Sequence, residues 1–210
     1  MNFLEIVRKA NTFSGLQGDI DSISFATGLQ KTLVEFVNAA YLDIQLLRDN
    51  WKWMQRYTST FLWGSASTSQ VNVGVNTYYN LYNSEGNELS FIPYLDWLTT
   101  RSTDLTRTAV PSYYTIIPET NGLIISPVLD TVTISYVAVI DPETLTENTQ
   151  VPKMPERYHF ALVYKAAMDM GYFLGNQEIG NGNAARYDMI LSQLLRNQNT
   201  PISVRQRPLV

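Results

Sequence analysis

The chain has 210 residues, a formal net charge of -4, a sequence pI near 5.0 and no cysteine. The acidic balance argues against a broad phosphate-binding surface, and the lack of thiols excludes disulfides and thiolate metal sites. Charged residues make up only 16% while aromatics reach 12%, which fits either a surface covered by partners or one coated with Asn, Thr and Ser.

The opening MNFLEIVRKANTF carries charges in its first turns and lacks an uninterrupted apolar stretch, so it does not read as a secretory signal. No run approaches the roughly 18 apolar residues of a membrane span. The expectation is a soluble protein without an export signal. Asn2 to Ser14 reads as a short helix with Leu4, Val7, Ala10 and Asn11 on one side, Phe3, Ile6 and Phe13 near it, and Gly15 as its stop. Gln17 to Ser24 is a loop. Its acids Asp19 and Asp21 lack the further oxygen ligands and closing Glu of a calcium loop, and read as solvated.

Thr27 to Asn50 is the longest periodic stretch, with Leu29, Leu33, Phe36, Val37, Ala40, Ile44 and Leu47 on one stripe. Thr27 and Gln30 have capping-box spacing. Asp49, Asn50, Trp51 and Trp53 end this predicted helix, which is expected to be central to a bundle. The pattern then turns to alternation. Tyr57 to Trp63 and Val71 to Val75 read as strands around the small-polar connection Gly64 to Ser69. Tyr78 to Ser90 is polar and turn-prone, and Pro93 to Thr100 predicts a short helix around Leu95, Trp97 and Leu98. Tyr113 to Ile117, the turn through Asn121 and Gly122, Leu123 to Pro127 and Thr131 to Ile140 predict a three-stranded antiparallel meander.

Asp141 to Met154 is a linker, and Pro155 suits the first turn of a helix over Glu156 to Leu174. Tyr158, Ala161, Leu162, Ala166, Met170 and Phe173 form its stripe, Ala167 and Gly171 permit close packing, and Gly175 closes it. A second helix, Ala184 to Asn197, carries Tyr187, Ile190, Leu191, Leu194 and Leu195. Gln198 to Val210 holds Pro201 and Pro208 and reads as an extended tail. The fold class expected is α+β. It comprises a small helical bundle of two N-terminal helices plus a C-terminal helical pair (1–56 and 155–197), an antiparallel β-rich insertion (57–154) and an extended C-terminal arm (198–210). Leu33, Ile44, Leu162 and Leu191 should be buried.

Motifs for chemistry are scarce. Gly180 to Ala185 formally matches a dinucleotide fingerprint but lies between helices, where it reads as a turn with Asn183 as N-cap. Glu156 and His159 have Glu-x-x-His spacing, yet di-iron bundles need two such pairs and this chain has one histidine. That histidine is also the one candidate base for a Ser-His-Asp arrangement, and no Gly-x-Ser-x-Gly elbow accompanies it. Glu35 and Asp43, two turns apart, read as solvent-facing helix acids rather than a glycosidase pair.

Two N-terminal helices ending in Trp51-Lys52-Trp53, then Gly122 to Pro127 and Thr131 to Tyr136 in a meander, then a Pro155-led helical pair with Tyr187 form an order that resembles the head-tail adaptor proteins of short-tailed bacteriophages. These are also called head-completion or connector proteins. The resemblance runs from Phe3 to about Asn197 and implies a dodecameric ring that docks on the portal protein after DNA packaging. Such a ring extends the DNA channel without specific DNA binding, offers a platform for tail or nozzle proteins, and uses no cofactor, no metal and no turnover. It implies a virion protein of the head-tail interface, assembled in the host cytoplasm. On this reading Ile202, Val204, Arg205, Arg207 and Leu209 form the portal-binding arm. The alternatives are a muralytic phage tail enzyme and a carbohydrate-binding module.

Overall fold

The computed structural model describes residues 1–63, 68–69, 75–100, 109–126 and 131–198. The chain divides into a helical unit, Met1–Trp53 with the chain from Pro142, and a β-rich unit, Met54–Asp141.

In the helical unit, Asn2 caps α1 (Phe3–Ser14). Its side-chain oxygen accepts from Glu5 N at 2.8 Å, and the Glu5 carboxylate accepts from Asn2 N at 3.0 Å. This is a complete capping box. Gly15 ends the helix in the left-handed conformation with φ 72, which a side chain would resist. Phe3, Ile6, Val7 and Ala10 are fully buried.

The second helix, α2, spans Leu29–Leu46 and is shorter at both ends than its periodicity implied. Its cap is Gly28 at φ 54, with no side-chain hydrogen bond, so Thr27 and Gln30 form no capping box. Thr27 instead lends its carbonyl to Gln30 N at 3.2 Å. Leu33, Val37, Ala40 and Ile44 are buried, whereas Leu29 and Leu47 at the ends of the stripe are exposed. The buried indole N–H of Trp51 closes the helix by donating to Ile44 O at 2.9 Å and Gln45 O at 3.1 Å, satisfying carbonyls that have no helical partner.

After a 3-10 turn at Glu156–Tyr158, α4 (His159–Phe173) runs into α5 (Gln177–Gln198). The hub of the bundle is α4, not α2: it packs against α1, α2 and α5. The reason is its side chains. Ala161, Leu162, Val163, Ala166, Ala167, Met170 and Gly171 are all buried, and so many small residues let several helices approach one axis. A Cβ on Gly171 would lie 2.7 Å from Gly180 N, so the two helices meet nearly backbone to backbone.

That approach also corrects the reading of Gly180 to Ala185. These residues lie inside α5, which starts seven residues earlier than expected, and Asn183 caps nothing. Its amide donates to Ile179 O at 2.9 Å, and Asn176 serves the helix start by accepting from Ile179 N at 3.1 Å. Leu191 is half-buried rather than buried, because along α5 only Gly180, Asn183, Leu194 and Gln198 are covered. Leu33, Ile44 and Leu162 are buried as expected.

Pro142 to Met154 crosses this unit as a strap with Leu145 and Met154 inside. The amides of Asn38 and Gln45 on α2 hold Leu145 and Glu143 through both their N–H and C=O groups. Between them, Tyr41 accepts from Lys153 N at 3.0 Å and donates to Glu143 at 3.2 Å.

The β-rich unit holds two sheets, ordered β1-β7-β3 and β2-β6-β5-β4. The strands are β1 (Gln55–Trp63), β2 (Thr68–Ser69), β3 (Val75–Tyr82), β4 (Ser90–Phe91), β5 (Tyr113–Ile117), β6 (Gly122–Ser126) and β7 (Thr131–Ile140), with α3 at Tyr94–Thr100. β5 and β6 form the expected hairpin, and Asn121 takes φ 51 in its turn. The third strand of the expected meander is elsewhere. β7 pairs with β1 in unbroken register from Gln55↔Val139 to Trp63↔Thr131, and with β3 on its other edge. β6 offers it no edge, being flanked by β5 and β2. β2 itself replaces the end of the small-polar connection. Of the strand expected over Val71 to Val75, residues 71–74 lie outside the described residues and Val75 opens β3.

β3 corrects the turn-prone reading of Tyr78 to Ser90. Asn80, at φ 51, sits where its register shifts and the strand continues to Tyr82, as a bulge allows. Tyr78, Leu81, Leu89, Leu123, Ile125, Ile134, Tyr136 and Ala138 form one core. Alternation along β7 delivers Ile134, Tyr136 and Ala138 to it.

Candidate functional site

The residues singled out for chemistry are scattered. Glu35 is exposed at the surface of α2. Asp43, two turns on, sits 3.9 Å from Lys165, which pairs more closely with Asp169 at 2.9 Å. Asp19 and Asp21 are exposed in a loop pinned by Arg8, which donates to Ile20 O at 2.7 Å, and Asn11, which donates to Gly18 O at 2.8 Å. Among the described residues no group of three or more His, Asp or Glu is placed to hold a metal ion. Ile202, Val204, Arg205, Arg207 and Leu209 lie outside the described residues. Their attachment point does not: Gln198 is buried and accepts from Lys52 N at 3.1 Å.

Glu156 and His159 do come together, through the amino terminus. The Met1 ammonium donates to Glu156 Oε1 at 2.8 Å and to His159 Nδ1 at 3.1 Å, while Nε2 donates to Met154 O at 2.9 Å. This tautomer requires a neutral ring. Burial lowers the His159 pKa below its ordinary value, and the neighbouring ammonium acts in the same direction. Glu156 is held below the usual carboxylate range by its hydrogen bond to that ammonium. The cluster is a structural clasp on the start of α1.

The sequence reading passed over a surface on α1, α4 and α5. The ring of Phe13 meets Tyr164 edge-on at 5.3 Å, and Phe160 lies 5.8 Å from Tyr164. The Arg186 guanidinium sits 5.8 Å from the Phe13 centroid and 5.6 Å from that of Tyr164, and Lys9 lies 5.3 Å over Phe160. Both cations therefore rest on aromatic faces. A groove of about 260 Å³ opens beside them, lined by Phe13, Glu178, Ile179, Gly182, Asn183 and Arg186. Reading Gly180 to Ala185 as a turn hid this groove, because Gly182 and Arg186 share a stripe only if the helix is continuous.

Round α5 from that groove, Tyr187 is pushed up to about 12 by burial and by Asp43, Asp188 and Asp169. Further apolar side chains stand open on the helical unit, including Leu46, Leu47, Phe173 and Met189. On the β-rich unit, Tyr57, Phe91 and Leu95 do the same. Among the described residues no helix is long and apolar enough to cross a membrane.

A helical bundle with a β insertion, whose surface keeps apolar side chains and stacked cations, has the make-up of an assembly subunit. The SU10 adaptor protein family matches residues 1–209, and the chain belongs to that family of bacteriophage structural adaptors. Comparison with curated proteins gives no match for this chain.

Proposed function

We propose that the chain forms a ring, a dodecamer, below the portal protein of a phage capsid, extending the DNA channel and presenting a platform to tail or nozzle proteins. The observation that carries this is the family match over residues 1–209, joined to a chain with 16% charged residues and large apolar side chains left open on both units. Subunits in a ring bury such side chains against their neighbours.

The distribution of charge supports a conduit. Between Met54 and Asp141 there are three arginines and seven acids, so this segment accounts for the whole net charge of -4. A chain without a basic surplus offers DNA few phosphate anchors and lets it slide. The arm from Gln198 to Val210 reaches the portal, with Ile202, Val204 and Leu209 in a groove and Arg205 and Arg207 toward carboxylates. No catalytic turnover, metal or cofactor enters this role. Assembly takes place in the host cytoplasm and ends in the virion at the head-tail interface.

Native mass spectrometry and electron microscopy of the protein alone and mixed with its portal test the reading. A closed ring of about twelve copies on the portal is expected. A protein that stays monomeric with the portal, or that degrades peptidoglycan, would overturn it.

A further inference from the structure

Helix α5 carries opposite chemistry on its two flanks. Glu178, Gly182, Arg186 and Met189 follow at steps of four, four and three and share one stripe, on which Arg186, with Lys9 nearby, outweighs the single acid Glu178. There the groove opens, Arg186 lies over Phe13 and Tyr164, and Met189 is 58% exposed. Neither Lys9 nor Arg186 has a carboxylate within ion-pair distance among the described residues. The other flank has the reverse imbalance. Asp43, Asp169 and Asp188 surround Tyr187 with Lys165 as their one ion-paired cation among the described residues. Leu47, a turn beyond Asp43, is 52% exposed.

The two flanks also point in different directions. On α4, Phe160 and Tyr164 border the cationic side while Lys165 and Asp169 border the acidic side. At about 100° per residue these stripes lie roughly 140° apart around the helix. One copy cannot fold its cations onto its own surplus acids, but a second copy can supply them.

We propose that the two flanks are the halves of one head-to-tail interface between copies of this chain. The Phe13–Tyr164–Arg186 groove of one copy receives the Asp43–Asp188 flank of the next, with Met189 against Leu47. Arg186 suits the part because its guanidinium is positioned by the aromatic faces of Phe13 and Tyr164 and still has donors for a carboxylate. Different patches meeting in this way repeat one rotation from copy to copy, and a rotation that closes gives a ring. The inference rests on the ring reading and adds to it the surface that joins the subunits.

The absence of cysteine from the chain makes disulfide trapping clean. Met189→Cys and Leu47→Cys are both at the surface, 58% and 52% exposed, and they are the pair that the interface brings together. Oxidation of the double variant should give a ladder of covalent oligomers rising past the dimer, while each single variant gives no ladder. Arg186→Glu added to the double variant should cut the trapped ladder roughly tenfold, whereas Arg186→Gln, which loses the same stacking on Phe13 and Tyr164 without reversing the charge, should cut it less. A product that stops at the dimer, or a ladder that survives Arg186→Glu, overturns the proposal. No ladder from a protein whose wild-type form still makes rings by native mass spectrometry overturns this surface and leaves the ring standing. No ladder and no wild-type ring, alone or on the portal, overturns both.

Discussion

Asn38 and Leu145, more than a hundred residues apart in sequence, pair as two strands would: the Asn38 amide donates to Leu145 O at 3.0 Å and its oxygen accepts from Leu145 N at 2.9 Å. Gln45 repeats the pattern on Glu143 at 2.8 and 3.0 Å. A helix face thus acts as a sheet edge for a segment that has no strand beside it, and the peptide groups of Glu143 and Leu145 are satisfied without water.

Removing either amide leaves a peptide N–H and C=O without partners at a part-buried site. Asn38→Ala and Gln45→Ala should each cost about 1 to 3 kcal/mol in denaturant unfolding. Hydrogen exchange at Glu143 and Leu145 should quicken more than at Leu162. Equal protection in variant and wild type would show that the strap is held by packing alone.

The hub position of α4 ranks the core leucines. Leu162 is fully buried, so Leu162→Ala should cost about 2 to 5 kcal/mol. Leu191 is half-buried on α5, and Leu191→Ala should cost clearly less in the same unfolding experiment.

How far the sequence foretold this arrangement depends on which interactions shaped each element. The apolar stripes of α1, α2 and α4 and the Tyr113 to Ser126 hairpin follow from local period and turn chemistry, and all four appear. The failures share one cause, tertiary contact overriding local preference. Gly180 and Gly182 look like a turn until Gly171 and Tyr172 are placed against Gly180. Asn80 looks like a turn until β7 pairs with both sides of its bulge. The partner of β7 is set by sheet edges that no single segment displays. The groove at Arg186 was invisible for the same reason, while the Asn2 and Glu5 capping box stood in the sequence at its usual spacing and was overlooked.

Three glycines of one region should respond in different ways. Gly171→Ala places a Cβ 2.7 Å from Gly180 N, and Gly180→Ala places one 2.4 Å from the Tyr172 ring. Overpacking of that kind costs about 1 to 3 kcal/mol. Gly182→Ala meets nothing within 4 Å inside α5, and should stabilise the monomer by about 0.5 to 1 kcal/mol. Thermal unfolding of the three variants reads both signs, and a stabilising Gly171→Ala would mean that α4 and α5 separate easily.

His159 sets a pH dependence. Its folded-state pKa lies below the ordinary 6.5, so on acidification the unfolded chain binds the proton first. Its contribution to stability is therefore complete above about 6.5 and lost as pH falls from there toward the folded pKa, with a limiting slope of about 1.4 kcal/mol per pH unit. His159→Gln should lower stability modestly at pH 7.5 and flatten the profile just below pH 6.5. A variant with the wild-type slope would assign that slope to other groups.

The arm is tested by cutting it where the body ends. Gln198 must stay, because it is buried and its side-chain oxygen accepts from Lys52 N at 3.1 Å. Beyond it, Pro201 and Pro208 cannot continue a helix, and a segment this short cannot enclose its own Ile202, Val204 and Leu209. In an extended segment Arg205 and Arg207, two residues apart, fall on one side. Alternate positions of that kind fit a groove or sheet edge on a partner, where main-chain hydrogen bonds supply affinity and the arginines orient the segment. A chain ending at Gln198 should keep its unfolding temperature and its self-association, yet lose portal binding by at least about tenfold in cosedimentation. Arg205→Glu with Arg207→Glu in the full-length chain should weaken binding less and make it less sensitive to salt. Full portal binding by the shortened chain would remove the arm from the interface and place the contact on the helical or β-rich unit.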